Sequence, residues 1–109
     1  MEAKSKYRSK ITEYNGVKFH SKKEAEYAKK LDWLIKVGTV TRWVGQCSYA
    51  LGINEVLICR YILDFKVWYS DGRIEHIDVK GMKSGSAYSM FKLKKKLMKA
   101  ILNIDVIEV

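Results

Sequence analysis

The sequence predicts an α/β fold in which two helices flank a mixed sheet. Two alternating apolar and polar segments, residues 61–69 and 73–80, are joined by a short loop and are typical of a β-hairpin. Residues 21–37 and 87–102 each carry an apolar stripe at helical spacing. Residues 104–109 alternate again and predict a last strand. We therefore expect strands in the middle of the chain, with a helix before them, a helix after them and a closing strand.

Shorter strands are expected before the central hairpin. Asn15-Gly16 lies between residues 11–14 and 17–19, and this dipeptide favours a small hairpin. Residues 39–44 and 48–51 each predict a short strand after the first helix. Gly38 is the expected end of that helix, because glycine readily adopts the left-handed conformation that closes helices.

The loop of the central hairpin determines which residues face each other. A three-residue loop, Ser70-Asp71-Gly72, with Gly72 in the left-handed conformation pairs Tyr69 with Arg73 and so places Asp64 opposite Asp78. One face of the hairpin would then carry Leu63, Phe65, Val67, Ile77 and Val79, and the other Asp64, Lys66, His76, Asp78 and Lys80. Two facing carboxylates repel each other unless a cation lies between them, which predicts a divalent metal ion here.

A third carboxylate comes from the first helix. Ser21 is a good N-cap, and Glu24, three residues later, completes a capping-box pattern. On a helical wheel Glu24 also stands at the head of the stripe that faces the core. Two interpretations are open: the Glu24 carboxylate closes the capping box, or it reaches into the pocket of Asp64 and Asp78.

Such a set of residues could hydrolyse phosphodiester bonds. Carboxylate oxygens suit Mg²⁺ or Mn²⁺, which also accept phosphate oxygens as ligands. Lys80 follows Asp78 by two residues and would lie on the same face. There it could orient or deprotonate a water, or neutralise developing negative charge. The expected products are a 5′-phosphate and a 3′-hydroxyl.

The charge balance favours an anionic partner. The 109 residues carry a formal net charge of +9, and the sequence pI is about 9.6. Such a balance is typical of proteins that bind nucleic acid or an anionic surface. On the second helix, candidate DNA contacts share one side of the wheel: Tyr88, Lys92, Lys95, Lys96 and Lys99. A solvated basic face is the alternative interpretation of these lysines.

Composition also bounds the organisation of the chain. Residues 1–10 are basic and poor in apolar residues, so we expect a flexible arm before a single domain at 11–109. Cys47 and Cys59 lack metal-ligand spacing and are expected to be reduced thiols in a cytoplasmic protein. No apolar run approaches the roughly 20 residues that a membrane span needs, so no membrane partner is expected.

Several motifs together resemble a family of small bacteriophage and prophage proteins. The motifs include Tyr14 to Phe19, Ser21 to Ala25, Tyr61 to Phe65, Asp78 to Gly81 and Tyr88 to Lys96. The resemblance is to the PD-(D/E)XK nuclease superfamily, whose relevant members are described as phage endonucleases or Holliday-junction-resolvase-like proteins. It implies a restriction-endonuclease-like α-β-β-β-α-β core.

The resemblance also implies roles for individual residues. It makes Glu24, Asp64, Asp78 and Lys80 catalytic, and the three acids metal ligands. The proline that usually precedes the first aspartate is Leu63 here, and the second acid is aspartate where glutamate is common.

The function that these observations predict is a Mg²⁺- or Mn²⁺-dependent endonuclease acting on branched DNA, as a homodimer, in phage recombination. One alternative is a non-catalytic nucleic-acid-binding accessory protein. Another is a nuclease that acts on flaps, forks or single strands. The sequence leaves open the preferred DNA structure, the choice between Mg²⁺ and Mn²⁺, the number of ions, and any role of His76 or Gln46.

Overall fold

Two helices flank a mixed four-stranded sheet in the computed structural model, which describes residues 11–81 and 83–109. The elements are β1 (Thr12–Tyr14), β2 (Val17–Phe19), α1 (Lys22–Lys36), β3 (Val40–Ile53), β4 (Val56–Tyr69), β5 (Ile74–Asp78), α2 (Gly85–Leu102) and β6 (Val106–Glu108). Strands β1 and β2 form a separate hairpin, and the larger sheet has the order β3-β4-β5-β6. Among the strands of the described residues, only the β5–β6 pair is parallel. The predicted fold class and element order are confirmed, while the predicted arm at residues 1–10 lies outside the described residues.

Helix α1 begins and ends where its sequence signals are. The Ser21 hydroxyl accepts a hydrogen bond from the Glu24 backbone N–H at 3.1 Å. Gly38 follows the C-cap with φ of +89°, a conformation that costs glycine little. The buried face carries Ala25, Ala28 and Leu31, and this face packs on the sheet.

The central hairpin has the predicted register. The Tyr69 N–H donates to the Arg73 carbonyl at 2.9 Å, and Gly72 has φ of +95°. Phe65 pairs with Ile77, which places Asp64 opposite Asp78. The loop chemistry at Gly72 therefore brought the two aspartates together, as expected.

Strand β3 corrects one expectation. Residues 39–44 and 48–51 are parts of one 14-residue strand rather than two short strands. Gln46 has φ of +55°, yet pairing with β4 continues on both sides of it. A second correction follows at Asn54 and Glu55, whose positive φ values form a two-residue turn, so β4 begins at Val56 rather than at residue 61.

The buried side chains of β4 are divided between two cores. Phe65 and Val67 pack with α1, whereas Tyr61 and Leu63 pack with α2. Leu63, Phe65 and Val67 keep the alternating burial expected of one face of the strand, although Leu63 belongs to the second core. The change between cores falls around Asp64, which lies opposite Gln46 of the neighbouring strand. The carboxylates consequently lie where the two cores meet.

The helical period of the sequence predicts Met90, Leu93, Leu97 and Ile101 as the packing side of α2, and the observed packing side is rotated relative to it. Phe91 and Met98 are its buried residues, and Leu97 and Ile101 are partly buried as predicted. Met90 and Leu93, expected in the core, are 53% and 52% exposed. The Phe91 ring lies 6.4 Å from the Tyr61 ring, centroid to centroid, so the buried side of the helix faces β4 at this point.

Two composition-based expectations can be compared with the structure. Cys47 and Cys59 are both free thiols. In the part of the chain that the structure describes, no helix has the length and apolar character needed to cross a membrane.

Candidate functional site

The two facing aspartates of the central hairpin are held by backbone hydrogen bonds. The Asp64 N–H donates to Asp78 Oδ1 at 2.9 Å, and the Val79 N–H donates to Asp64 Oδ2 at 2.9 Å. Each carboxylate thus accepts from the opposite strand, where β4 and β5 end their regular pairing. The two side chains are fixed next to each other by the strands themselves.

Glu24 joins this pair from helix α1. Its side chain is buried, with 6% of the residue exposed, and its Oε1 atom has no hydrogen-bond partner. The Glu24 carboxyl lies within hydrogen-bonding reach of the Asp64 carboxyl. Ser21 accepts its half of the capping-box hydrogen bonds, but the Glu24 carboxylate does not close the box. It reaches instead toward Asp64, as the second of the two interpretations expected.

Contact between two carboxyls requires a proton or a cation, because two ionised carboxylates can only accept hydrogen bonds. Burial and, after it, the hydrogen bond with Glu24 raise the pKa of Asp64 from 3.8 to about 7. The Val79 N–H and the Lys80 ammonium oppose this increase. The Asp64 carboxyl is therefore partly protonated at neutral pH when no cation is bound.

Asp78 is the most buried acid of the site, with 2% of the residue exposed. Its Oδ2 accepts a hydrogen bond from the Tyr61 hydroxyl, and Lys80 Nζ lies 3.7 Å from the same oxygen. Burial and the Asp64 charge raise the pKa of Asp78, whereas the hydrogen bond from Tyr61 lowers it. Tyr61 is a contact that the sequence analysis missed, since it occupied an apolar position of an alternating strand.

Lys80 is positioned by three elements. Its N–H donates to the Val109 carbonyl at 2.9 Å, and its carbonyl accepts from Lys23 Nζ at 2.6 Å. Its own ammonium lies 3.9 Å from the centroid of the Phe91 ring, a cation–π distance. The ammonium therefore has two partners, Asp78 and Phe91, and stands at the edge of the carboxylate cluster.

The fit of a divalent metal ion to these residues is incomplete as they stand. Among residues 11–81 and 83–109, no three His, Cys, Asp or Glu side chains form a ready-made metal-binding group. The Glu24–Asp64 pair does fit a cation, because it has an unpartnered buried oxygen and a contact that needs positive charge. Asp78 can join them only if its Oδ2 exchanges the Tyr61 hydroxyl for the ion.

A cleft opens beside the carboxylates and carries two cations that the sequence analysis missed. Arg60 and Lys94 line it together with Asp64, Asp78 and Lys80. Lys94 Nζ donates to the Arg60 carbonyl at 3.1 Å, which holds the lysine over the cleft. Lys94 belongs to the lysine run of α2, and only the rotation of that helix shows that this lysine faces the acids.

The predicted DNA-contacting residues of α2 lie on a different groove. Lys92 and Lys95 contact Glu108 Oε2 at 3.6 and 3.0 Å, and Lys99 contacts Asp105 Oδ2 at 3.1 Å. The Tyr88 hydroxyl donates to Glu108 Oε1 at 2.7 Å. Lys96 is exposed and makes no ion pair within the described residues. Acids of the C-terminal segment therefore offset much of this basic face, which the sequence analysis counted as free.

His76 packs beside the site without joining it. Its ring meets the Tyr49 ring edge-on, with centroids 6.4 Å apart. Burial lowers the pKa of His76, and the nearby Lys66 charge lowers it further.

Comparison with known proteins shows the family. Residues 4–105 match the family described as "Protein of unknown function (DUF1064)", and the chain belongs to it. No curated protein and no solved structure matches the chain. The likeness to PD-(D/E)XK nucleases therefore stays a prediction.

Proposed function

We propose that this protein is a metal-dependent DNA endonuclease. The observation that carries the proposal is the contact between Glu24 and Asp64, with one buried oxygen unpartnered, beside Asp78 and Lys80. Burying like-charged acids together is costly, and clusters of this kind are concentrated at functional sites. The net charge of +9 and the basic residues of the cleft favour a polyanionic substrate.

Each residue has a distinct part in the proposed reaction. Glu24, Asp64 and Asp78 would hold Mg²⁺ or Mn²⁺, and the bound ion would supply Lewis-acid stabilisation of a phosphodiester. Lys80 neutralises charge on the reacting phosphate or orients the attacking water. Tyr61 is a positioning residue, because its hydroxyl donates to Asp78. Arg60 and Lys94 bind phosphates at the mouth of the cleft.

We further propose branched DNA as substrate and a homodimer as the active form, working in the cytoplasm. Two symmetric cuts in a branched molecule need two sites, which a twofold dimer provides. The tip of the β3–β4 hairpin offers an apolar surface for a second copy, since Ile53, Val56, Leu57 and Ile58 are 46–58% exposed. Flaps, forks and single strands are the alternative substrates.

The proposal is tested by cleavage of a labelled four-way junction beside a matched linear duplex, in Mg²⁺ and in Mn²⁺. We expect Asp78→Ala and Lys80→Ala each to lose cleavage by about 100-fold or more, as expected for loss of transition-state stabilisation. Binding measured in chelator should change little. Glu26→Ala is the control, because Glu26 is an exposed acid on the opposite side of α1.

Either active-site variant cutting at the wild-type rate would reject these roles. Paired nicks confined to the junction support a dimeric junction resolvase. Cutting of both substrates keeps the nuclease and rejects the preference for branches.

A second candidate is an accessory protein that binds nucleic acid without cutting it. The observation in its favour is that both oxygens of Asp78 are already hydrogen-bonded, with no three-acid metal group formed among the described residues. It predicts steeply salt-dependent binding and no product with either ion.

A further inference from the structure

A cluster of two cations and an indole ring lies on the open part of the sheet, away from the cleft. The Arg42 guanidinium carbon lies 4.0 Å from the centroid of the Trp68 ring, and Lys66 Nζ lies 5.0 Å from it. Arg42 and Trp68 are directly paired across β3 and β4, and Lys66 precedes Trp68 by two residues on β4. The strands therefore hold all three side chains on one face. We refer to Arg42, Lys66 and Trp68 as the Arg42 cluster.

A second arginine in the chain shows what is unusual about this cluster. Arg73 also lies over an aromatic ring, with its guanidinium carbon 4.3 Å from the Tyr69 centroid. Arg73, however, contacts Asp71 at 2.8 Å and Glu75 at 3.2 Å. Arg42 and Lys66 have no acidic partner anywhere in residues 11–81 and 83–109. The Arg42 cluster therefore concentrates positive charge that the fold does not neutralise.

The chemistry of the cluster fits a phosphate group. A guanidinium that lies on an aromatic ring is held in orientation, while its in-plane N–H groups remain able to donate to phosphate oxygens in pairs. Lys66 adds a second charge within reach of the same ring. Because Arg42 covers a face of Trp68, the ring positions the cation rather than stacking on a base. We infer that the Arg42 cluster binds a phosphate of a nucleic-acid backbone, at a position separate from the cleft.

The position of the cluster relates it to the proposed site. Lys66 and Trp68 follow Asp64 by two and four residues along β4, which corresponds to roughly 7 and 13 Å along a strand. In B-DNA one strand advances about 3.4 Å per nucleotide, so 13 Å spans about four base pairs. The inference rests on the proposed function in taking nucleic acid as the ligand, and it adds where the duplex runs: from the cleft along β4 toward the β4–β5 loop.

The test is a binding titration of a labelled duplex in chelator, at several salt concentrations, so that no cleavage occurs. We expect Arg42→Gln and Lys66→Gln each to weaken binding by roughly fivefold to tenfold and to reduce the salt slope by about one phosphate contact. Arg73→Gln removes the same charge from a matched arginine–aromatic pair and should leave affinity within about twofold. Thermal melts of each variant check that the fold is retained.

A direct position test uses duplexes with a single neutral methylphosphonate, moved one nucleotide at a time. Interference about four nucleotides from the cleavage position should be present with wild type and lost in Arg42→Gln.

The possible results separate this inference from the proposed function. Suppose that wild type binds and cuts DNA and that Arg42→Gln binds the duplex as tightly as Arg73→Gln. This result would overturn the inference and leave the proposed nuclease intact. Wild type that binds without cutting, with Arg42→Gln weakened, would support the inference and reject the nuclease. No binding of either a duplex or a four-way junction by wild type at low salt would overturn both.

Discussion

Two charged clusters in this protein differ in their ratio of acids to neighbouring cations. In the first cluster, Glu24, Asp64 and Asp78 lie together with one neighbouring ammonium, that of Lys80. The second cluster has a single acid, Glu108, surrounded by three donors: Tyr88, Lys92 and Lys95. The pKa of Asp64 is raised to about 7, whereas hydrogen bonds from Tyr88 and Lys95 lower the pKa of Glu108 to about 2.

The difference separates Glu108, which stabilises the fold, from the cluster of Glu24, Asp64 and Asp78, which is unfavourable to the fold. Glu108 ties β6 to α2, and its charge is fully offset by its neighbours. In the first cluster Asp64 and Asp78 do accept hydrogen bonds, but the three acids share a single ammonium, and Glu24 has a buried oxygen without a partner. Clusters that are unfavourable in the folded protein alone are expected where a ligand completes them.

The largest expected effect comes from removing one negative charge from each cluster. Glu24→Gln should lower metal-dependent cleavage by about 100-fold or more, because a ligand of the ion is lost. In chelator the same variant should be more stable than wild type, because the amide can donate to Asp64 where the carboxylate cannot. Glu108→Gln should behave differently in both measurements. Its cleavage should be nearly unchanged, and its unfolding free energy should fall by about 1 kcal/mol.

Cleavage rates and chemical denaturation of the two variants, measured side by side, decide the matter. If Glu24→Gln is destabilised in chelator as much as Glu108→Gln, then both clusters are structural and the comparison fails.

An intermediate effect is expected for neighbouring lysines of α2. Lys94 lines the cleft and donates only to a backbone carbonyl, whereas Lys95 is paired with Glu108 at 3.0 Å. Lys94→Gln should therefore weaken DNA binding by roughly tenfold, and Lys95→Gln by about twofold at most. Fluorescence anisotropy in chelator measures both affinities. A larger loss of affinity in Lys95→Gln than in Lys94→Gln would instead favour DNA binding by the face of α2 that the lysine pattern predicted.

The smallest expected effect is a pH dependence of stability with opposite sign at the two clusters. Asp64 has a raised pKa in the folded state, so its ionisation destabilises the fold as pH rises from about 4 through 7. The stability of Asp64→Asn relative to wild type should accordingly rise between about pH 4 and pH 7 and stay level above that. Thermal melts in chelator across this range provide the measurement.

Glu108 should behave in the other direction. Its folded pKa is lowered from 4.5 to about 2, so it stabilises the fold above pH 4.5 and that contribution disappears as pH falls toward 2. The penalty of Glu108→Gln should therefore be constant at neutral pH and shrink in acid. A penalty that grows on acidification would contradict the assigned ion pairs.

Local signals in the sequence were enough for the elements and for the pairing of the two aspartates. Gly72, with its positive φ, closes the short loop that fixes the register of β4 and β5. The register then determines which side chains face each other. Ser21 fixed the start of α1, and the helical period from there placed Glu24 toward the sheet. These inferences succeeded because each depends on residues that are close in the chain or joined by one short turn.

Long-range packing decided the rest of the site. Tyr61 packs in the core beneath α2 and its hydroxyl meets Asp78 of β5, although its strand position predicted an ordinary apolar contact. The rotation of α2 about Phe91 turned Lys94 toward the acids. The pairing of β6 with β5 brought Glu108 to the other lysines. Sequence by itself therefore determined which side chains carry the chemistry, whereas tertiary structure decided which charges remain unpaired, because neutralisation depends on contacts between residues far apart in the chain.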